Sequence, residues 1–436
     1  MFFSQTEPSV RYAAVALALM QRNHFDRHSS GHVHQAQYSK DCLSDEAPLL
    51  YYNRAIQLLL NQANGDSTET TAITLLVCYL FTCFDQLAGN YVQSMKHLRG
   101  GVELSRNIDK AILDNNNTYD NAKSSGVHTL IRLVTEQIRR LDMQAVTFIV
   151  DWNPADMQEA LMCQLPPSDS SAFRSLDQAA DHLQVLVAQA MKLRNTKQRI
   201  FPMDKALLSS SPSSLKDTIL EQLERWSYLF ENTLLQQGNY YENDSETYPL
   251  VISLLRLQHT ISWTLLSNLG PGRNEKDYDD FLPQFRQCMA LARDIAATHE
   301  RYAGSLSRPT FTFTPELGIV PVLYIIGAKC RDPVVRREVL KILRQQLIRE
   351  AVWDSFLTAR VVERIIEIEE KGAGALAQEE GGGEGRIQGM EQIPTCQRIE
   401  DLSWVHVLAS RQFASRLDVS YTFCGREGVY TESLAL

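Results

Sequence analysis

Apolar residues recur at three- and four-residue steps through most of this chain, and no alternation of strand and helix of the kind a parallel sheet needs appears. Tyr52, Ala55, Ile56, Leu59 and Leu60 mark one such stripe, and Met95, Leu98 and Val102 another. A stripe at helical spacing can only be buried against other helices or a sheet face, so the spacing predicts an all-α fold built as an array of many helices. Helices are expected over 10–20, 51–63, 68–84 and 91–106. Others are expected over about 128–142, 172–195, 213–236, 246–268 and 277–303. Thr68 or Ser67 suits a helix cap, with Glu69 in the first turn where a carboxylate meets the helix dipole.

Breaks separate these runs. Asp114–Gly126 is rich in asparagine and reads as a loop, Ser209–Ser214 as a connector, and Gly270-Pro271-Gly272 as a turn. Arg308–Pro315 reads as a short extended piece. Asp332-Pro333 then supplies an N-cap and a proline at the first helical position, and Val335, Val339, Ile342, Leu343 and Leu347 line one face of the helix that follows. Asp354 opens the next, with Phe356, Leu357, Val361, Ile365 and Ile368 expected inside. Gly372–Gly389 holds seven of the 21 glycines together with Glu379, Glu380 and Glu384, a composition that reads as a flexible linker. The expected organisation is therefore a helical domain over 1–370, a linker over 371–390, and a helical C-terminal segment over 391–436 that packs back on the domain. In that last segment a helix is expected from about Glu400 to Ser415, and an extended piece over Val419–Phe423.

Composition narrows the function. Lys and Arg number 43 against 52 Asp and Glu, a net charge of −9, which argues against a surface coated by nucleic acid. Cys42, Cys78, Cys83, Cys163, Cys288, Cys330, Cys396 and Cys424 are scattered with no C-x-x-C, so neither a disulfide framework nor a zinc knuckle is expected, and the reading is a reducing compartment. The N-terminal residues lack the basic stretch and apolar run of a secretory signal. The longest apolar run, Ala72–Phe84, falls short of the roughly 20 residues of a membrane span and reads as a buried helix.

Signatures of chemistry are sparse. The chain has no G-x-S-x-G and no G-x-x-x-x-G-K-[ST], and His299-Glu300 opens like a zinc-protease helix but meets Ala303 where the second histidine belongs. His24, His28, His32 and His34 lie within eleven residues, and spacings of four would place the first three on one helical face, where imidazoles suit zinc; the polar stretch Asn23–Ser44 instead reads as a loop with solvated histidines. The pairs Asp279-Asp280 and Glu369-Glu370 are expected on solvated helix faces. Trp226, Tyr228, Phe230, Trp263 and Leu265 read as core, with room for an apolar pocket between helices. No catalytic, cofactor-binding or metal-binding residue is assigned, no cofactor is expected, and the chain is not read as an enzyme.

Two sets of segments carry a resemblance. The first comprises Glu7-Pro8-Ser9-Val10-Arg11, Tyr51-Tyr52-Asn53-Arg54-Ala55-Ile56, Leu87-Ala88-Gly89-Asn90-Tyr91 and His97-Leu98-Arg99-Gly100-Gly101. The second comprises Leu317-Gly318-Ile319-Val320-Pro321, Cys330-Arg331-Asp332-Pro333-Val334-Val335-Arg336-Arg337, Arg349-Glu350-Ala351-Val352-Trp353-Asp354 and Ile365-Ile366-Glu367-Ile368-Glu369. In this order they resemble the fungal-specific transcription factor domain, the regulatory region that follows the binuclear zinc cluster in many fungal activators. Ala351 stands where that family usually shows glycine.

The resemblance implies a nuclear transcription regulator acting through protein partners, as a homodimer or with a related factor. A small-molecule effector, no membrane, and control of a nutrient or secondary-metabolite gene cluster are further expectations. In this family DNA is read by a C-x2-C-x6-C zinc cluster, which the sequence does not contain, so contact with DNA is expected to be indirect or through a missing N-terminal cluster. The alternatives are a helical interaction module that heterodimerises with a full-length factor and, further off, an enzyme with a cryptic helical site.

Overall fold

The computed structural model describes residues 3–29, 46–62, 68–108, 122–155, 157, 170–198, 200, 212–241, 247–305, 311–345, 347–379, 387–407 and 415–436. These residues form two compact units. The first holds residues 1–144 with 309–316 and 349–352, and the second holds 145–308, 317–348 and 353–436.

The first unit contains α1 (Phe3–Thr6), α2 (Pro8–Ser29), α3 (Ala47–Gln62), α4 (Thr68–Ala88), α5 (Tyr91–Arg106) and α6 (Ala122–Gln144), with strand β1 (Thr312–Thr314) in the extended piece expected there. Its core joins Val10, Ala13 and Ala16 of α2 to Tyr52 and Ala55 of α3 and to Ile73, Val77, Phe81 and Phe84 of α4. Small alanine faces let α2 lie close against its neighbours. Helix α4 has 21 residues, longer than the apolar run suggested, and its most apolar 18-residue stretch has a mean hydropathy of 1.5, sufficient by length and composition to cross a membrane. Here it packs against α2, α5 and α6, burying Leu75, Val77, Phe84 and Leu87 together with the polar Thr82, Asp85 and Gln86.

In the second unit α7 (Leu176–Asn195), α8 (Pro212–Tyr241) and α9 (Thr247–Ser267) pack around Trp226, whose ring stacks on Phe230 at 4.6 Å and whose Nε1 donates to the Ala179 carbonyl at 2.8 Å. Ser175 caps α7, its hydroxyl accepting from Gln178 N at 3.2 Å. A 3-10 turn over Glu275–Phe281 leads into α10 (Leu282–Ser305), followed by α11 (Val320–Lys329) and α12 (Pro333–Gln345). Short strands β2 (Ile348–Glu350) and β3 (Trp353–Asp354) mark where the chain leaves and re-enters this unit, and α13 (Ser355–Glu379) follows. Both expected caps form: Asp332 Oδ1 accepts from Val334 N and Val335 N at 3.0 Å, and Asp354 Oδ1 from Leu357 N at 3.0 Å. Gly327 lets α11 approach its neighbours, since a Cβ there would sit 2.6 Å from Val362 Cγ1 of α13 and 3.3 Å from Val339 Cγ1 of α12.

The mostly helical class holds, with only small sheets, but the described part of the C-terminal segment is mainly sheet. Where a helix is expected from Glu400 the chain forms β4 (Ile399–Val407), which pairs antiparallel with β5 (Arg416–Phe423), itself paired with β6 (Tyr430–Ala435). The burial period decides this. Leu402 and Trp404 on β4, and Leu417 and Val419 on β5, turn at two-residue steps toward Leu357, Val361 and Ile365 of α13, a pattern that a strand presents and a helix does not. The expected linker is helical over its first part, because α13 continues to Glu379 and buries Ala373 against Ile387 and Ile393. The remaining glycine-rich residues 380–386 lie outside the described residues.

Other expectations shift at their ends. Helix α2 runs on to Ser29 through part of the stretch read as loop, and α6 begins at Ala122 inside the asparagine-rich segment. Phe356, Tyr228 and Leu60, expected inside, are 46%, 63% and 67% exposed.

Ala351 adopts φ +51°, is buried, and donates its N–H to the Thr314 carbonyl at 2.8 Å. A left-handed backbone is costly for any residue with a Cβ, which accounts for a glycine preference at this position. Replacing Ala351 by Gly should relieve about 1 kcal/mol of that strain, partly offset by the greater freedom of glycine in the unfolded chain. Ala351→Val should lower stability by about 2 kcal/mol or more, since a β-branched residue tolerates this conformation least. Denaturant midpoints of the two variants would show the opposite signs.

Candidate functional site

The second unit is organised around a buried ion network built from segments far apart in sequence. Helix α11 ends at Lys329, the chain runs extended through Cys330, and Asp332 restarts it as α12. This short break turns Lys329, Arg331 and Arg336 inward toward Glu369 of α13 and Glu275 of the 3-10 turn. Arg331 lies at the centre. Its Nη2 donates to Glu369 Oε1 at 2.8 Å and its Nη1 to Glu275 Oε2 at 2.8 Å, with no exposed side-chain surface.

Arg336 donates Nη2 to Glu369 Oε2 at 2.6 Å and Nε to the Gly327 carbonyl at 3.1 Å. Lys329 Nζ reaches Glu275 Oε1 and the Glu400 carbonyl, each at 2.6 Å. Glu369 Oε1 also accepts from Ile399 N at 2.7 Å, fastening the start of β4 to α13. Beside this core, Arg398 forms a two-pronged pair with Asp279, both contacts 2.7 Å, and donates to the Ile393, Met390 and Glu275 carbonyls.

Burial alone would raise the Glu369 carboxyl, but the Arg331 and Arg336 charges outweigh it and hold the group at about 2. For Lys329 burial acts the other way and pulls the ammonium down, opposed by Glu275. Taken together, Lys329, Arg331, Arg336 and Arg398 set four cations against the three carboxylates of Glu275, Asp279 and Glu369. Such a network contributes little net stability once desolvation is counted, but removing one partner strands the others and costs much more. Its structural effect is to fix how the 3-10 turn, α11, α12, α13 and β4 meet.

Above the network an open groove of about 250 Å³ runs between α12 and α13. Leu340 and Ile366 give it apolar walls, Arg336 forms part of its lining, and Arg337, Glu363 and Glu370 stand around it.

The first unit carries a smaller polar cluster. Tyr52 donates to Asp85 Oδ2 at 3.1 Å, and its hydroxyl lies 2.7 Å from His97 Nε2, with Phe81 and Phe84 packed around its ring. Burial pushes the Asp85 carboxyl up to about 6, against the hydrogen bonds from Tyr52 and Asn90, and pulls the His97 imidazole below its usual range. In the same unit Tyr91 accepts from Arg349 at 2.9 Å.

The residues singled out in sequence are thus partly assembled. Tyr52 meets His97, Tyr91 meets Arg349, and Arg331 and Arg336 converge on Glu369, so segments of the resemblance distant in sequence become neighbours. Arg336 turns to Glu369 and not to Asp332, while Arg337 faces Glu370 at 3.7 Å. Two carboxylates read as solvated are not: Glu369 is fully buried and Asp279 is held by Arg398. The reason is tertiary, because strand β4 and the loop before it cover that face of α13.

Glu275 and Arg398 escaped sequence reasoning entirely. Each sits in a run of mixed charges, residues 273–280 and 398–401, where nothing in the sequence singles out one charge from its neighbours. His24 lies on α2, His28 lies on the same helix, and His32 and His34 fall outside the described residues. No group of three or more His, Cys, Asp or Glu side chains placed to hold a metal occurs among the described residues.

No protein family matches the chain, and no solved structure is similar to it. It is similar to the aspercryptin biosynthesis cluster-specific transcription regulator atnN of Emericella nidulans (strain FGSC A4), with 21% identity over 442 aligned residues covering 84% of this chain and 69% of that protein.

Two predictions follow from the geometry. Glu369→Gln should cost about 3–5 kcal/mol at neutral pH by leaving Arg336 without its carboxylate and Arg331 with Glu275 alone. The native carboxyl sits below its unfolded value of 4.5, so its contribution is present above that pH and lost as pH falls toward about 2. Urea melts of wild type and variant should therefore converge on acidification. For Asp85 the sign reverses: the native value of about 6 exceeds the unfolded 3.8, so its contribution is full below pH 4 and is lost as pH rises through 6. Asp85→Asn should remove that loss, making the variant the more stable protein above pH 6 relative to wild type, as thermal melts across pH 4–8 would show.

Proposed function

We propose that this chain is a fungal transcription regulator acting through its helical domain. The observation that carries the reading is the similarity to a cluster-specific transcription regulator along 84% of the chain. The meeting of Tyr52 with His97, and of Arg331 and Arg336 with Glu369, supports it, because the residues of the resemblance then serve as the framework of a common fold. By the same reading the protein works in the nucleus, controls a secondary-metabolite or nutrient gene cluster, and acts through protein partners, either a second copy or a related factor.

The net charge of −9 suits a domain that is not itself the DNA reader, so DNA is reached through a zinc-cluster module or a partner that carries one. Deleting the gene and sequencing transcripts should change a contiguous block of genes by several-fold, and re-expression of the chain should restore it. Unchanged transcripts under every growth condition in which the chain is made would overturn the proposal. Fusion of the chain to an unrelated DNA-binding module, with a reporter as readout, gives the sign of regulation.

A further inference from the structure

We propose that the groove between α12 and α13 is a binding site for a small apolar monocarboxylate, recognised by Arg336. Arg336 is 1% exposed and lines the groove, yet its Nη1 makes no hydrogen bond while Nε and Nη2 are both engaged. A buried guanidinium with spare donors is costly and calls for an acceptor. The network beneath supplies the charge argument: four cations face three carboxylates, and Arg336 is the cation with donors to spare.

The rim acids do not fill this need, because each is engaged by a different arginine. Glu363 is held by Arg344 at 2.6 Å and by Arg360, Glu367 by Arg364 at 2.8 Å, and Glu370 faces Arg337 at 3.7 Å. That last pair is long and partly exposed, and Arg337 is anchored by donating Nη1 to the Pro333 carbonyl at 2.8 Å, so Glu370 is the side chain that moves aside to admit a ligand toward Arg336.

The walls define the rest of the ligand. Leu340 and Ile366 offer apolar surface to its body, and about 250 Å³ suits a compact ligand and not a nucleotide. Three glutamates around the opening oppose a doubly charged phosphate, whereas a single carboxylate satisfies one guanidinium edge. As a binding site this stands apart from the transcriptional reading; as an effector input to gene control it rests on it.

Calorimetric titration of the full chain with benzoate, benzamide and inorganic phosphate tests the site. Saturable benzoate binding is expected with half-saturation on the order of 1 mM or tighter. Benzamide, which lacks the charge, should bind at least about tenfold more weakly, and phosphate should not bind. Leu340→Glu places a carboxylate in the groove at a partly exposed position and should weaken benzoate at least about tenfold with the melting temperature unchanged. Absence of saturable binding, equal binding of benzamide, preference for phosphate, or undiminished binding by a folded Leu340→Glu chain would each overturn the assignment. None of these outcomes bears on whether the chain regulates transcription, which the gene-deletion experiment reads separately.

Discussion

One carboxylate, Glu369, fixes how α12, α13 and the start of β4 meet. It lies fully buried on α13 and is met by two guanidinium groups and a backbone N–H, so three separate pieces of chain must arrive in register for its charge to be tolerated. The interaction is demanding because an ion in a low-dielectric interior carries a large desolvation cost that only well-formed partners offset. Much of the local architecture follows from meeting that demand. The break between α11 and α12 exists where Arg331 must turn inward, and Gly327 lets α11 come close enough for its carbonyl to accept from Arg336.

The two units solve the problem of buried polarity differently. The second uses several charges that neutralise one another, and its carboxylate is ionised throughout the ordinary pH range. In the first, Asp85 sits among Tyr52, aromatic rings and the His97 imidazole, whose Nε2 lies 3.6 Å away, and its protonation state is set by burial against the hydrogen bonds from Tyr52 and Asn90. A carboxyl in such surroundings is sensitive to pH near neutrality, and the helices α3, α4 and α5 that present these three residues share that sensitivity.

The helices were legible because their burial is local. In α5 the predicted bounds match the observed Tyr91–Arg106, and the caps at Asp332 and Asp354 follow from side-chain chemistry within three residues. The C-terminal sheet was not legible from Glu400 onward, because Leu402 and Trp404 acquire their inward face only when α13 lies beneath them. The glycine-rich stretch shows the same limit. Its composition opposes helix, yet Ala373 gains enough contact with Ile387 and Ile393 for α13 to pass through Gly372 and Gly374.

Sequence by itself determined the helical class and the capped entries to α12 and α13, since periodicity and capping act over a few residues; the left-handed backbone at Ala351 came only with the structure. Only the tertiary structure decided which charges are buried. Glu369 and Glu370 are adjacent in the chain and alike in chemistry, yet one is enclosed with two arginines and the other faces the groove beside Arg337. That difference arises from what packs over each side of α13, and the partners that do so, Arg331, Arg336 and the start of β4, lie about thirty residues or more away in either direction.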